Sequence, residues 1–150
     1  GFLFSESKMI EDVPYDPHLY FEGEETTLSL RLFTNGYDIF HIPKIPLFHC
    51  YVDYSNSARR PMHWNIEEDK DRAVKWTELH TKSKNRIERI INEDLTNIYG
   101  LGASRTLNDY KDFTGIDIRN KKIIDKEKAF TFKKLFDVDW KKTQKKNFLW

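Results

Sequence analysis

Between Thr26 and Phe33 the apolar positions recur at helical spacing, with Leu28 and Leu32 on one face and Phe33 beside them. The pattern predicts a helix over 26–33. Glu24 and Glu25 precede it at its N-terminus, where carboxylates are stabilised, and Asn35-Gly36 is the stop, a left-handed cap. Residues 37–42 alternate aromatic and β-branched side chains and predict a strand, broken by Pro43 and Pro46. Residues 47–51 read as a second short extended piece, and residues 1–5 as a strand or strand end. Val13-Pro14-Tyr15-Asp16-Pro17 is a rigid loop, since each proline fixes its φ and holds its predecessor extended. A long helical periodicity runs from Trp64 or Asn65 to about Leu95, through Val74, Leu79, Ile87, Ile90 and Ile91. Ser83 and Lys84 mark a candidate break into two helices. Tyr99-Gly100-Leu101-Gly102 is a loop. Thr106 and Asp109 have capping-box spacing, opening a helix that runs to Phe113 and stops at Gly115. That helix reads as a lid or buttress more than as core.

Composition adds bounds. The 150 residues suffice for one domain, and 39% hydrophobic with 15% aromatic content supplies material for a core. A formal charge of +1 argues against a uniformly basic nucleic-acid binder. The charge is divided unevenly: residues 1–118 hold 14 basic and 20 acidic side chains, whereas residues 119–150 hold 11 and 4. The expectation is an acidic body with a basic extension. Membrane contact by that extension is a weaker reading than a solvated tail or a docked hairpin. The one cysteine, Cys50, excludes an internal disulfide and fits a reducing compartment. The opening at Gly1 without a secretory pattern suggests a fragment or a processed chain.

Candidate chemistry starts at Glu22, Glu24 and Glu25, which crowd a turn before a helix and suit a general base, a sugar-hydroxyl acceptor or a metal group. A solvated acidic helix start is the local alternative. His49, in an apolar run, is a candidate metal ligand or a core histidine. His63 and Trp64 follow Arg59-Arg60, a combination that suits a phosphate or sugar site or an anchored linker. No GxGxxG, GxxxxGK[ST] or GxSxG pattern occurs. Asp137-Val138-Asp139 is a literal DxD, which arises easily by chance.

Read in order, these pieces resemble a known family. Val13-Pro14-Tyr15-Asp16-Pro17, Phe21-Glu22-Gly23-Glu24-Glu25, Leu30-Arg31-Leu32, Thr34-Asn35-Gly36-Tyr37-Asp38 and Phe48-His49 look like the C-terminal half of the catalytic domain of GlcNAc-transferases. The relatives in question are those of the cytoplasmic Skp1 hydroxyproline N-acetylglucosaminyltransferase. Trp76, Ser83, Arg86, Tyr99 to Gly102, Arg105 to Leu107, Tyr110 and Gly115 to Asp117 continue the series. The resemblance covers about residues 1–117, leaving 118–150 as a basic C-terminal extension.

The resemblance implies an α/β fold, the C-terminal part of a GT-A-like nucleotide-sugar transferase with mixed short strands and several helices. It implies retaining transfer of N-acetylglucosamine from a UDP-sugar donor to a protein or glycan hydroxyl acceptor, a divalent metal such as Mn²⁺, and a cytoplasmic location. By position, Glu24 and Glu25 match the acidic motif facing donor sugar and acceptor. Gly23 belongs to that motif, and His49 matches the histidine completing the metal site. His63 and Trp64 match a loop near the donor phosphates. The family's DxD and uridine-binding half come before the segment present here, and Asp137-Val138-Asp139 lies on the wrong side to replace them. The expectation is a chain with little or no activity alone. The alternative is a non-catalytic carbohydrate- or protein-binding remnant of the fold.

Overall fold

The computed structural model describes residues 3–40 and 62–130. In chain order the elements are α1 (Lys8–Asp12), α2 (Glu24–Thr34), α3 (Ile66–Asp69), α4 (Trp76–Ile91), α5 (Leu107–Thr114), β1 (Ile116–Asp117), β2 (Lys122–Ile123) and α6 (Lys126–Phe130). Helices dominate the described residues. β1 and β2 form an antiparallel pair with Ile116 opposite Ile123 and Asp117 opposite Lys122. None of these helices is long and apolar enough to cross a membrane.

α2 is the central element, and its second half is buried on nearly all sides: Leu30, Arg31, Leu32, Phe33 and Thr34 are all inside. Leu32 packs with Met9 and Val13, and Leu28, Tyr37 and Ile39 extend that cluster. Leu30 faces the other way, onto Ile91 and Leu107, with Ile87, Tyr110 and Ile118 around them. Burying a leucine of this kind stabilises by about 1.5–3 kcal/mol relative to exposure. α2 therefore joins two small cores.

The end of α2 follows from Asn35-Gly36. Gly36 takes φ +96°, its N–H donates to Phe33 O at 3.0 Å, and Tyr37 N–H donates to Leu32 O at 3.0 Å, the paired bonds of a Schellman cap. The 101–105 loop then closes over it. Thr34 Oγ1 accepts from Gly102 N–H at 2.8 Å, and Thr34 O accepts from Ser104 and Arg105 N–H. Arg105 donates to Tyr37 O at 2.9 Å and to Asp38 Oδ1 at 2.7 Å, with its guanidinium over the Phe33 ring.

That last arrangement corrects the strand expected over 37–42. Tyr37 to Phe40 are irregular, because Arg105, not a neighbouring strand, takes the Tyr37 carbonyl; residues 41 and 42 lie outside the described residues, as does the extended piece at 47–51. From Leu3 on the opening is also not a strand: Leu3 to Glu6 are irregular and Phe4 is exposed, followed by the short α1, while residues 1 and 2 lie outside the described residues. The long helix of 64–95 divides earlier than Ser83. α3 ends at Asp69, whose Oδ1 accepts from Trp76 N–H at 2.9 Å, so one carboxylate closes α3 and starts α4. Ser83 lies inside α4, fully buried. α5 begins at the expected capping box, with Thr106 Oγ1 accepting from Asp109 N–H at 3.1 Å and Asp109 Oδ2 from Thr106 N–H at 2.7 Å. It ends at Gly115, but it is not a lid: Leu107 belongs to the core around Leu30.

Candidate functional site

The segment 13–25 runs from the two-proline loop to the start of α2 and is fixed from below by α2 and α4. Asp16, 1% exposed, holds the loop: Oδ1 accepts from His18 N–H at 3.0 Å and Oδ2 from Arg86 Nε at 2.6 Å. Prolines 14 and 17 flank Asp16 and limit its alternatives. Arg31, also 1% exposed, reaches up from α2 and donates to Pro14 O at 2.8 Å and Ile98 O at 2.9 Å. Burial pushes its guanidinium pKa down, with the charge of Asp16 opposing that shift.

The turn at 20–23 is tighter. Tyr20 N–H donates to Ser83 Oγ at 3.0 Å, and the Ser83 hydroxyl donates to Glu22 O at 3.4 Å. Glu22 N–H returns to Tyr20 O at 2.7 Å. Between them Phe21 adopts φ +59°, a left-handed conformation unfavourable for an aromatic residue, and projects its ring into solvent at 57% exposure. Gly23 follows at φ +86°. A Cβ there would lie 2.2 Å from Ile87 Cδ1, the movable end of that side chain, so glycine is required chiefly for its left-handed conformation and the Ile87 contact adds to it.

Glu24 and Glu25 form the first turn of α2, as expected for carboxylates at a helix N-terminus. Gly23, the cap residue, has no side chain to satisfy the first amides. Glu24 Oε2 is buried without a hydrogen-bond partner. Tyr15 stands near: its phenol pKa is raised by burial first, then by the charges of Glu24 and Glu25. Ordinary folding leaves few buried carboxylate oxygens without a donor, so this one stands out at the start of α2.

On the other side of Tyr20 lies an aromatic cluster. Tyr20 Oη hydrogen-bonds His63 Nδ1. The His63 ring lies 4.8 Å from Phe21 and 4.4 Å from Trp64, and Phe21 lies 4.9 Å from Trp64. His63 and Trp64, distant in sequence from the glutamates, are thereby joined to the Gly23-Glu24-Glu25 turn through Tyr20 and Phe21. Half-exposed rings of this sort suit the apolar face of a sugar. Glu22 approaches His80 of α4, with Oε2 3.7 Å from Nδ1.

His49 lies outside the described residues, as do Cys50 and Asp137-Val138-Asp139. Among the described residues no three His, Cys, Asp or Glu side chains converge as a metal site. The sequence pattern did not assign roles to Asp16, Tyr20, Phe21, Ser83 or Arg86 in holding this site. The bracketing prolines were the available local signal for Asp16; Ser83 and Arg86 entered only through the family resemblance.

A family model described as "Glycosyltransferase (GlcNAc)" matches residues 1–98, more than half of the chain and all of the described site. No curated protein and no solved structure gives a significant match.

Proposed function

The chain belongs to the GlcNAc glycosyltransferase family, and from that premise we propose that the turn at 20–25, with His63 and Trp64, forms the sugar-facing part of a UDP-GlcNAc-dependent transferase of GT-A type. The family implies a sugar donor and an acceptor in general. The proposal adds UDP-GlcNAc as donor, a protein or glycan hydroxyl as acceptor, a cytoplasmic setting and kinship with the Skp1 hydroxyproline enzymes. The supporting observation is the buried, unpartnered Glu24 oxygen at the start of α2.

In this reading the bond from the sugar anomeric carbon to the donor diphosphate breaks and one to the acceptor oxygen forms. The acceptor proton leaves with the diphosphate or to solvent. Glu24 and Glu25 accept hydrogen bonds from hydroxyls and offset positive charge developing at the anomeric carbon. The helix start fixes both carboxylates before ligand arrives, so little reorganisation is needed. The Phe21, His63 and Trp64 rings cover an apolar sugar face and exclude water. His49 would hold a divalent cation such as Mn²⁺, which would supply charge neutralisation for the departing diphosphate. Residues 1–117 form the transferase part in this scheme and residues 118–150 a basic extension, with the uridine-binding half supplied by sequence outside these residues.

Calorimetric titration of the chain with UDP-GlcNAc, with and without Mn²⁺, tests the proposal. Mn²⁺-dependent binding lost in His49→Ala supports it. Glycan binding indifferent to Mn²⁺ supports a non-catalytic remnant instead. Rapid UDP-GlcNAc turnover by the 150 residues alone would contradict the placement of the donor half elsewhere.

A further inference from the structure

Three residues of α4 bear on the turn that carries Phe21. They recur at i, i+3 and i+7, so one stripe of the helix faces it. His80 Nδ1 lies 3.7 Å from Glu22 Oε2, Ser83 Oγ meets the turn backbone, and Ile87 stands where a side chain at Gly23 would go. The first is a partly exposed polar contact and the last a packing contact. Ser83 does something else. It is fully buried, and its one hydroxyl bonds both flanks of Phe21, accepting from Tyr20 N–H at 3.0 Å and donating to Glu22 O at 3.4 Å. Alanine forms helix better and would occupy most of the same space, so helix formation does not account for a serine here.

What the hydroxyl spans is a strained piece of backbone. Glu22 N–H donates to Tyr20 O at 2.7 Å across Phe21, whose φ is +59°. A bond from i+2 back to i over a central residue at positive φ is the rare, strained form of the γ-turn. Such a conformation persists only where its surroundings over-determine it. The Phe21 ring does not supply that from inside the protein, because it is 57% exposed. It rests instead beside the His63 and Trp64 rings, 4.8 and 4.9 Å away between centroids. A return to the ordinary negative φ range would swing the Cα–Cβ bond, and the ring with it, away from both.

We propose that Ser83 is a positioning residue for Phe21. Its hydroxyl keeps the 20–22 turn closed against α4, and the closed turn holds the Phe21 ring on His63 and Trp64. The ring platform is thereby set by a side chain that touches none of its rings. A long helix supplies the fixed point, so the platform exists before a ligand arrives. That the platform faces a sugar rests on the function proposed above; the hold of Ser83 on Phe21 does not.

The test uses the full chain. Nuclear Overhauser cross-peaks between the Phe21 ring and the Trp64 indole are expected in the parent and should vanish in Ser83→Ala. Those between Leu30 and Ile91 should persist there, showing the core between α2 and α4 intact. Phe21–Trp64 cross-peaks of parent strength in Ser83→Ala overturn the proposal. A second measurement needs no change at Ser83. Phe21→Gly should melt above Phe21→Ala, the reverse of the usual order, because glycine takes positive φ without steric cost. The usual order would mean that there is no strained turn to hold, and also overturns it. Titration with UDP-GlcNAc and Mn²⁺ reads the ligand side. Ser83→Ala should bind about fivefold more weakly, the scale of a lost aromatic contact, and Ser83→Ala/Phe21→Ala no more weakly than Phe21→Ala alone. A further loss in the double variant contradicts action through Phe21. A parent that takes up no UDP-GlcNAc, with cross-peaks behaving as expected, contradicts the sugar reading and supports the hold of Ser83 on Phe21.

Discussion

The two ends of α2 are built to different standards. At the C-terminal end the Gly36 and Tyr37 amides make the two cap bonds, Thr34 accepts from the incoming loop through hydroxyl and carbonyl, and Arg105 covers what is left. At the N-terminal end the cap residue has no side chain, an aromatic residue is held at positive φ, and a buried carboxylate oxygen has no donor. The same helix supplies both ends, so propensity does not explain the contrast. The satisfied end anchors the helix. Under the proposed function, the unsatisfied end gives up stability at the residues assigned to the sugar, the trade expected of a functional site.

Substitutions at the two ends should therefore behave differently. The largest effect is expected from Gly23→Ala. The new Cβ meets Ile87 in a left-handed conformation, with an expected loss of about 2–4 kcal/mol by urea unfolding. A loss below about 0.5 kcal/mol, within the range of an ordinary surface change, would mean that α4 does not press on this turn. Thr34→Val comes next. It strips the acceptor from Gly102 N–H at the satisfied end and is expected to destabilise by about 1–3 kcal/mol without altering ligand binding. A change in affinity at constant fold would break the division of labour between the ends.

Glu24→Gln should do the opposite. Removing a charge whose oxygen has no partner is expected to leave stability within about 0.5 kcal/mol or raise it. The smallest effect concerns acid. The Asp109 carboxyl is held below its ordinary value by the Thr106 amide and hydroxyl, and Asp117 by Asn120. Their contribution is present above the unfolded carboxylate pKa and is lost as pH falls through the lower folded value. Melting temperature should thus decline below about pH 4. Asp109→Asn should flatten part of that decline.

How much of this was legible in the sequence depends on distance along the chain. The Asn35-Gly36 stop, the acidic start of α2 and the Thr106–Asp109 box rest on contacts within a few residues, and they could be read directly. The Tyr20–Ser83 and Asp16–Arg86 bonds span 63 and 70 residues. No local pattern announces them, and Ser83 even looked like a helix break. The alternation over 37–42 was read as a strand, although alternation alone cannot say whether a partner strand is present; for Tyr37, Arg105 took that place. Of the candidate site, Gly23, Glu24 and Glu25 were legible as a turn. Their link to His63 and Trp64 through Tyr20 and Phe21 was not.

The contrast between the ends of α2 meets its most direct test in Glu24→Gln, measured for melting temperature and for UDP-GlcNAc binding in the presence of Mn²⁺. The account predicts a melting temperature unchanged or raised and an affinity at least about tenfold weaker, the scale of a lost charged hydrogen bond. A lowered melting temperature with unchanged affinity would contradict it, assigning Glu24 to the scaffold and leaving the N-terminal end of α2 without the role given to it here.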